Sequence, residues 1–80
     1  MQIEIKLLTQ FKQYLPDPDM IGNMRSIKIN DSGKIEDVFI ELGIPLNVPK
    51  VIMLNDRHAT IEDTLKEGDR VTVFPPVGGG

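Results

Sequence analysis

With 80 residues the chain has room for one domain, and a core covering only ~60–65% of the surface exposed on unfolding leaves little space for an enclosed active site. Hydrophobic residues make up 40% and charged residues 26%, which is too apolar for a disordered polymer. The net charge of −3 and the lack of any Lys/Arg run argue against a nucleic-acid binder, and the absence of cysteine removes disulfides, thiolate metal sites, iron–sulfur clusters and cysteine nucleophiles.

The N-terminus opens with Ile3, Ile5 and Leu7 alternating with Gln2, Glu4 and Lys6, the period of a half-buried strand. Charges interrupt every apolar stretch there, so neither a signal peptide nor a membrane span is predicted, and the cytoplasm is the expected location. Thr9–Leu15 can form a helical turn, which Pro16-Asp17-Pro18-Asp19 breaks. Arg25–Asn30 reads as a second strand with Ile27 and Ile29 on one face.

Asn30-Asp31-Ser32-Gly33 is a turn that offers Asp31 or Ser32 as a helix cap. Ile35, Val38, Phe39 and Leu42 then fall at i, i+3, i+4 and i+7, one apolar helical stripe, and Gly43 stops the helix before Ile44-Pro45. Glu36, Asp37 and Glu41 lie off that stripe, on a solvated face. Val51–Asn55 is predicted as a third strand that reverses through Asn55-Asp56-Arg57-His58. Thr60–Leu65 is expected to form one short helical turn, with Thr60 as cap and Asp63 answering it. A tight turn over Lys66-Glu67-Gly68-Asp69 leads into the β-branched strand Arg70–Phe74, which Pro75-Pro76 ends because proline cannot donate to a ladder.

Strands flanking one main helix define an α+β fold, a mixed sheet with the helix packed across one face: a β-grasp. Residues 1–80 are expected to form this single domain, with 75–80 as an extended tail. Alternation points Val71 and Val73 inward and leaves Thr72 and Phe74 on the sheet's other face. No second helix is available to cover that face, so Phe74 is a candidate docking residue, joined by Ile52 or Met53. A satellite core beneath the Pro16 loop is the alternative.

The tail is the segment with the most chemical content. Two prolines favour a polyproline II course, which projects the chain away from the body. Pro75 to Gly80 can span roughly 20 Å at ~3.3 Å per residue. Gly78, Gly79 and Gly80 carry no Cβ, so they suit a narrow cleft and leave the terminal carbonyl unhindered. An ionised terminal carboxylate is a poor electrophile, so acyl chemistry there needs prior activation, for which ATP would serve. The chain has no glycine-rich loop of its own to hold phosphates. A merely frayed end is the plain alternative.

Val51-Ile52-Met53-Leu54-Asn55, followed by Leu65-x-x-Gly68-Asp69-x-Val71 and Phe74-Pro75-Pro76-Val77-Gly78-Gly79-Gly80, resembles the MoaD/ThiS family of ubiquitin-like sulfur carrier proteins. The Ile3–Leu7 strand and the helix ending at Leu42-Gly43-Ile44-Pro45 fit as well, so the resemblance spans most of the chain. The Phe-Pro-Pro-Val tail looks most like the small subunit of molybdopterin synthase. The resemblance implies a non-catalytic carrier that binds no cofactor itself. A ubiquitin-activating-like adenylyltransferase (MoeB/ThiF-type) would adenylate Gly80 with ATP and Mg²⁺, and a sulfur donor would convert it to a thiocarboxylate. The tail would then enter the large synthase subunit (MoaE-type) and deliver sulfur to the dithiolene precursor of the molybdenum cofactor. Carried over by position, Gly80 bears the sulfur, Gly79 is its diglycine partner, and Pro75, Pro76, Val77 and Gly78 thread the tail, with Phe74 at its base.

This sequence departs from the family pattern at two points. The hairpin reads Asn55-Asp56 where the family commonly has Asn-Gly, and Val77 before three glycines also matches thiamine-pathway carriers. Pro16–Ile21 matches no family motif. Two other functions stay in play: a protein modifier joined through Gly80 to lysines, and a plain binding module with an inert tail. His58, alone in a turn, reads as a solvated loop residue, since a catalytic histidine would need an oriented partner. Asp17 and Asp19 are separated by Pro18 and do not resemble a calcium loop.

Overall fold

The computed structural model describes residues 1–76. Five strands, β1 (Gln2–Leu7), β2 (Met24–Lys28), β3 (Val51–Leu54), β4 (Arg57–His58) and β5 (Arg70–Phe74), form one sheet in the order β2-β1-β5-β3-β4. β1 and β5 run parallel, with Ile5 opposite Val71 and Leu7 opposite Val73, and the other pairings are antiparallel. Among the described residues one α-helix, α1 (Ile35–Leu42), covers one face, as the β-grasp reading requires.

The core follows from two periodicities. β1 buries Ile3, Ile5 and Leu7, β5 buries Val71 and Val73, and α1 buries Ile35, Val38 and Phe39. Each of these side chains is at most 1% exposed, and full burial contributes about 1.5–3 kcal/mol apiece. Phe11, from a short 3₁₀ segment over Thr9–Tyr14, closes one end of this core, and Ile44 and Leu65 seal the rim.

The start of α1 differs from the sequence expectation. Lys34 is the N-cap, and neither Asp31 nor Ser32 takes that role. Asp31 instead accepts a hydrogen bond from the Met1 ammonium at 2.8 Å, and this cation holds its carboxyl below the usual carboxylate range. The Lys34 N–H donates to Asp37 Oδ2 at 2.8 Å, half of a capping box. The Ile35 and Glu36 N–H groups donate to the Asp63 and Ile61 carbonyls.

That diversion explains a second correction. Thr60–Leu65 makes turns and no helix. The Thr60 N–H does donate to Asp63 Oδ2 at 2.8 Å, as a helical cap would. The Ile61 and Asp63 carbonyls, however, are already taken by α1, so the segment works as an external cap for that helix. Gly43 ends α1 as expected, at φ 78°, with the Ile44 N–H bonded to the Phe39 carbonyl.

Two cations hold the irregular connections. Arg25, 6% exposed, donates to the carbonyls of Pro16, Asp17, Met20, Gly22 and Met24 at 2.7–3.3 Å. Its guanidinium therefore gives shape to the loop that carried no recognisable motif. Lys50 donates to the Pro45, Leu46 and Val48 carbonyls and lies 5.2 Å from the centre of the Phe39 ring. Partial burial lowers its pKa below the ordinary lysine value. We expect Arg25→Met to cost about 2–3 kcal/mol, because five part-buried carbonyls lose a charged donor at once. Urea unfolding measures that loss, and hydrogen exchange should quicken in residues 16–24 while the β1 and β5 amides stay protected.

Candidate functional site

The candidate site begins where β5 ends. β5 is the middle strand, so both of its edges are hydrogen-bonded, and the Leu8 N–H donates to the Val73 carbonyl at 3.0 Å. Phe74 is the last residue of the ladder and lies opposite Val51. Pro75 is half-buried and Pro76 exposed. Neither proline has an N–H, so neither can extend the sheet. Val77, Gly78, Gly79 and Gly80, the remaining tail residues, lie outside the described residues.

Around this exit the helix-free face of the sheet takes the form that alternation predicted, and of Ile52 and Met53 it is Met53 that joins Phe74 there. Thr72 and Phe74 are half-buried on that face while Val71 and Val73 are fully buried on the other. Met53, opposite Thr72, shares the face, and so does Val51. Ile52 does not: it pairs with Val73 on the core side and is 8% exposed. The Pro16 loop flanks β2, two strands away from β5, and Phe74 is not part of the buried cluster, so no satellite core forms over it.

The Gly68-Asp69 pair proves to be structural. Gly68 adopts φ 84°, where a Cβ would be strained, and its N–H donates to the Gln2 carbonyl. Asp69, 6% exposed, accepts from the Lys66 N–H through Oδ2 and from Asn55 Nδ2 through Oδ1, at 2.8 and 2.9 Å. Asn55 Oδ1 in turn accepts from the Arg70 N–H at 2.9 Å. Asn55 and Asp56 have φ of 50° and 70°, so the hairpin takes the primed turn that the family's Asn-Gly would provide. Asp56 carries the strain that glycine would avoid. The Gly-Asp motif thus fastens the entrance of β5 to β1 and to the β3–β4 hairpin.

The remaining sequence candidates are dispersed. His58 belongs to the return strand β4, opposite Met53, and not to the turn, which is confined to Asn55-Asp56. It is exposed, and no carboxylate orients it among the described residues. Asp17 and Asp19 are exposed and do not converge with a third metal-type ligand among the described residues; the neighbouring carbonyls face Arg25. Of the acidic helix residues, Asp37 caps α1 and Glu41 is exposed. Sequence reasoning missed Arg25 and Lys50. A buried cation is legible only when its acceptors are backbone atoms whose positions are known.

A family model described as the ThiS family matches residues 19–80, and the chain belongs to that family. Among curated proteins, none matches it in sequence. Solved structures do. The small archaeal modifier protein 1 from Haloferax volcanii superposes with a TM-score of 0.76 at 17% identity, with 100% of both chains covered. Subunit 1 of a molybdopterin converting factor from Pyrococcus furiosus gives 0.73 at 21% identity over 95% of this chain and 98% of that one. A complex of subunits 1 and 2 of the molybdopterin-converting factor from Helicobacter pylori gives 0.65 at 25% identity, again with 100% of both chains covered. The fold is therefore the ubiquitin-like β-grasp of the MoaD/ThiS-type carriers. Among the described residues, no helix is long and apolar enough to cross a membrane.

Asp69→Ala is expected to destabilise the fold by about 2–3 kcal/mol, since it leaves the part-buried Lys66 N–H and the Asn55 amide without their charged acceptor. Chemical denaturation checks this. An Asp69→Ala chain as stable as the parent would show that the turn closes without the carboxylate.

Proposed function

We propose that this chain carries sulfur as a thiocarboxylate on Gly80 and hands it to an acceptor in molybdopterin biosynthesis. The observation that supports this reading is the exit geometry. A strand hydrogen-bonded on both edges ends at Phe74 and passes into Pro75 and Pro76, neither of which can donate to the ladder. The ThiS-family membership and the resemblance to molybdopterin converting factor subunit 1 support the choice of chemistry.

In this reading the chain is a co-substrate and not an enzyme. An adenylyltransferase of the MoeB/ThiF type binds ATP and Mg²⁺. A Gly80 carboxylate oxygen attacks the α-phosphorus, pyrophosphate leaves, and an acyl-adenylate forms. Hydrosulfide supplied by a sulfur donor then attacks the activated carbonyl, the bond from that carbon to the AMP oxygen breaks and AMP departs, so one carboxylate oxygen has been exchanged for sulfur. Gly78 and Gly79 let the backbone pass a narrow cleft, with Pro75, Pro76 and Val77 keeping it extended. Phe74, beside Val51 and Met53, docks against the partner. The acceptor is a large subunit of the MoaE type, a reading supported by the subunit 1 and 2 complex from Helicobacter pylori.

Co-expression with the activating enzyme from the same genome should exchange one terminal oxygen for sulfur, seen by intact-protein mass spectrometry. Deleting Gly80, or adding a residue after it, should abolish that exchange. A ladder of lysine conjugates in place of the thiocarboxylate would favour protein modification, and full pathway activity without Gly80 would sink the carrier reading. Phe74→Ala should leave the free energy of unfolding within about 1 kcal/mol of the parent, because the ring is only half-buried. Binding to both partners should weaken, which titration calorimetry measures; unchanged affinity would remove Phe74 from the docking surface.

A further inference from the structure

The helix-free face is opposite in sign to the chain as a whole, whose net charge is −3. Strand alternation puts Glu4 and Lys6 of β1, Lys28 of β2 and Arg70 of β5 on that face, three cations against one carboxylate. Acids collect on the other side. Glu36, Asp37 and Glu41 lie on α1, and Glu62 and Asp63 in the segment that caps it, against Lys34. The sheet therefore separates a basic face from an acidic one.

The cations of the basic face are not equivalent. Arg70 is paired with Glu4 at 3.1 Å, and Lys28 sits on the edge strand opposite Gln2. Lys6 lies further in. It belongs to a row that crosses the whole sheet, from Met24 through Lys6, Thr72 and Met53 to His58. No carboxylate stands in that row. Asp17 lines a groove with Met24 and Ser26 on the β2 side, yet among the described residues no acid pairs with Lys6. The Lys6 side chain is half-buried, so its stem lies along its neighbours and its ammonium lacks a protein counter-ion. Phe74 follows Thr72 on the same face, one residue pair away.

The carrier reading gives that sign a use. In it the activating enzyme holds ATP where the tail ends, and the tail itself brings a carboxylate. A chain of net negative charge is repelled by a bound polyphosphate unless it turns a basic face forward. The face that contains the base of the tail is the basic one.

We propose that Lys6 is a specificity-determining residue for the activating enzyme. A carboxylate set in that enzyme's docking surface meets the Lys6 ammonium, while apolar side chains around it cover Met24, Met53 and Phe74. The proposal rests on the carrier reading above and names the chemistry of the surface that receives this face.

The test uses the full chain and the purified activating enzyme from the same genome, with Kd measured by titration calorimetry at low and high salt. Lys6→Glu should raise Kd about tenfold or more, because it sets two carboxylates together in a desolvated contact. Lys6→Arg should stay within about twofold of the parent, and Lys6→Gln should flatten the dependence of Kd on salt. Lys34→Glu makes the same charge change on the helix side and should leave Kd within about twofold of the parent. Urea unfolding of each variant establishes that it is folded; should Lys6→Glu fail to fold, the salt dependence of Lys6→Gln carries the test. Unchanged Kd in Lys6→Glu overturns the proposal. So does an equal loss in Lys34→Glu, which would make net charge and not this face the cause, or a loss seen only with the large subunit. If the parent chain neither binds the activating enzyme nor takes up sulfur, the carrier reading itself falls, and the two failures are distinguishable.

Discussion

The last strand of this chain is the middle strand of its sheet. β5 is bonded to β1 along one edge and to β3 along the other, and its inward residues Val71 and Val73 are wholly buried. Phe74 is thereby held in the centre of the sheet, where the cost of local opening is expected to approach that of global unfolding. Pro75 therefore starts from a fixed point, and neither Pro75 nor Pro76 can donate to the ladder.

The loops depend on a different device. Arg25 and Lys50 each draw several backbone carbonyls around one cation. Irregular backbone leaves many carbonyls unpaired, and one multivalent donor satisfies them together. The Arg25 loop can therefore display Met20 and Ile21 without losing its own shape. The acidic end of the same economy is Asp69, which takes two donors at the entrance of β5.

Much of this was legible beforehand, for reasons that can be stated. Alternation in Ile3–Leu7 and Val71–Val73 separates the two faces of the sheet, and the stripe Ile35, Val38, Phe39 leaves a single solution for where α1 packs. Errors fell where one group had two possible uses. Thr60–Leu65 has the residues of a helix start, yet its carbonyls serve α1. Asp31 is a good cap by residue type, yet it lies beside the Met1 ammonium. Val51–Leu54 is apolar at every position, so periodicity could not assign Ile52 to the core and Met53 to the open face; pairing with Val73 and Thr72 did.

By itself the sequence determined that β1, β2, β3, β5 and α1 exist and which faces of β1 and β5 point inward and outward, because each is set by residues within a few positions of one another. Only the tertiary structure decided that β5 lies between β1 and β3, that Gly68-Asp69 is a fastening and not a site, and that Arg25 holds a loop with an apolar tip. Those facts depend on which backbone groups meet across the fold, such as the 2.8 Å contact of Gly68 with Gln2. No local pattern of side chains encodes such a meeting.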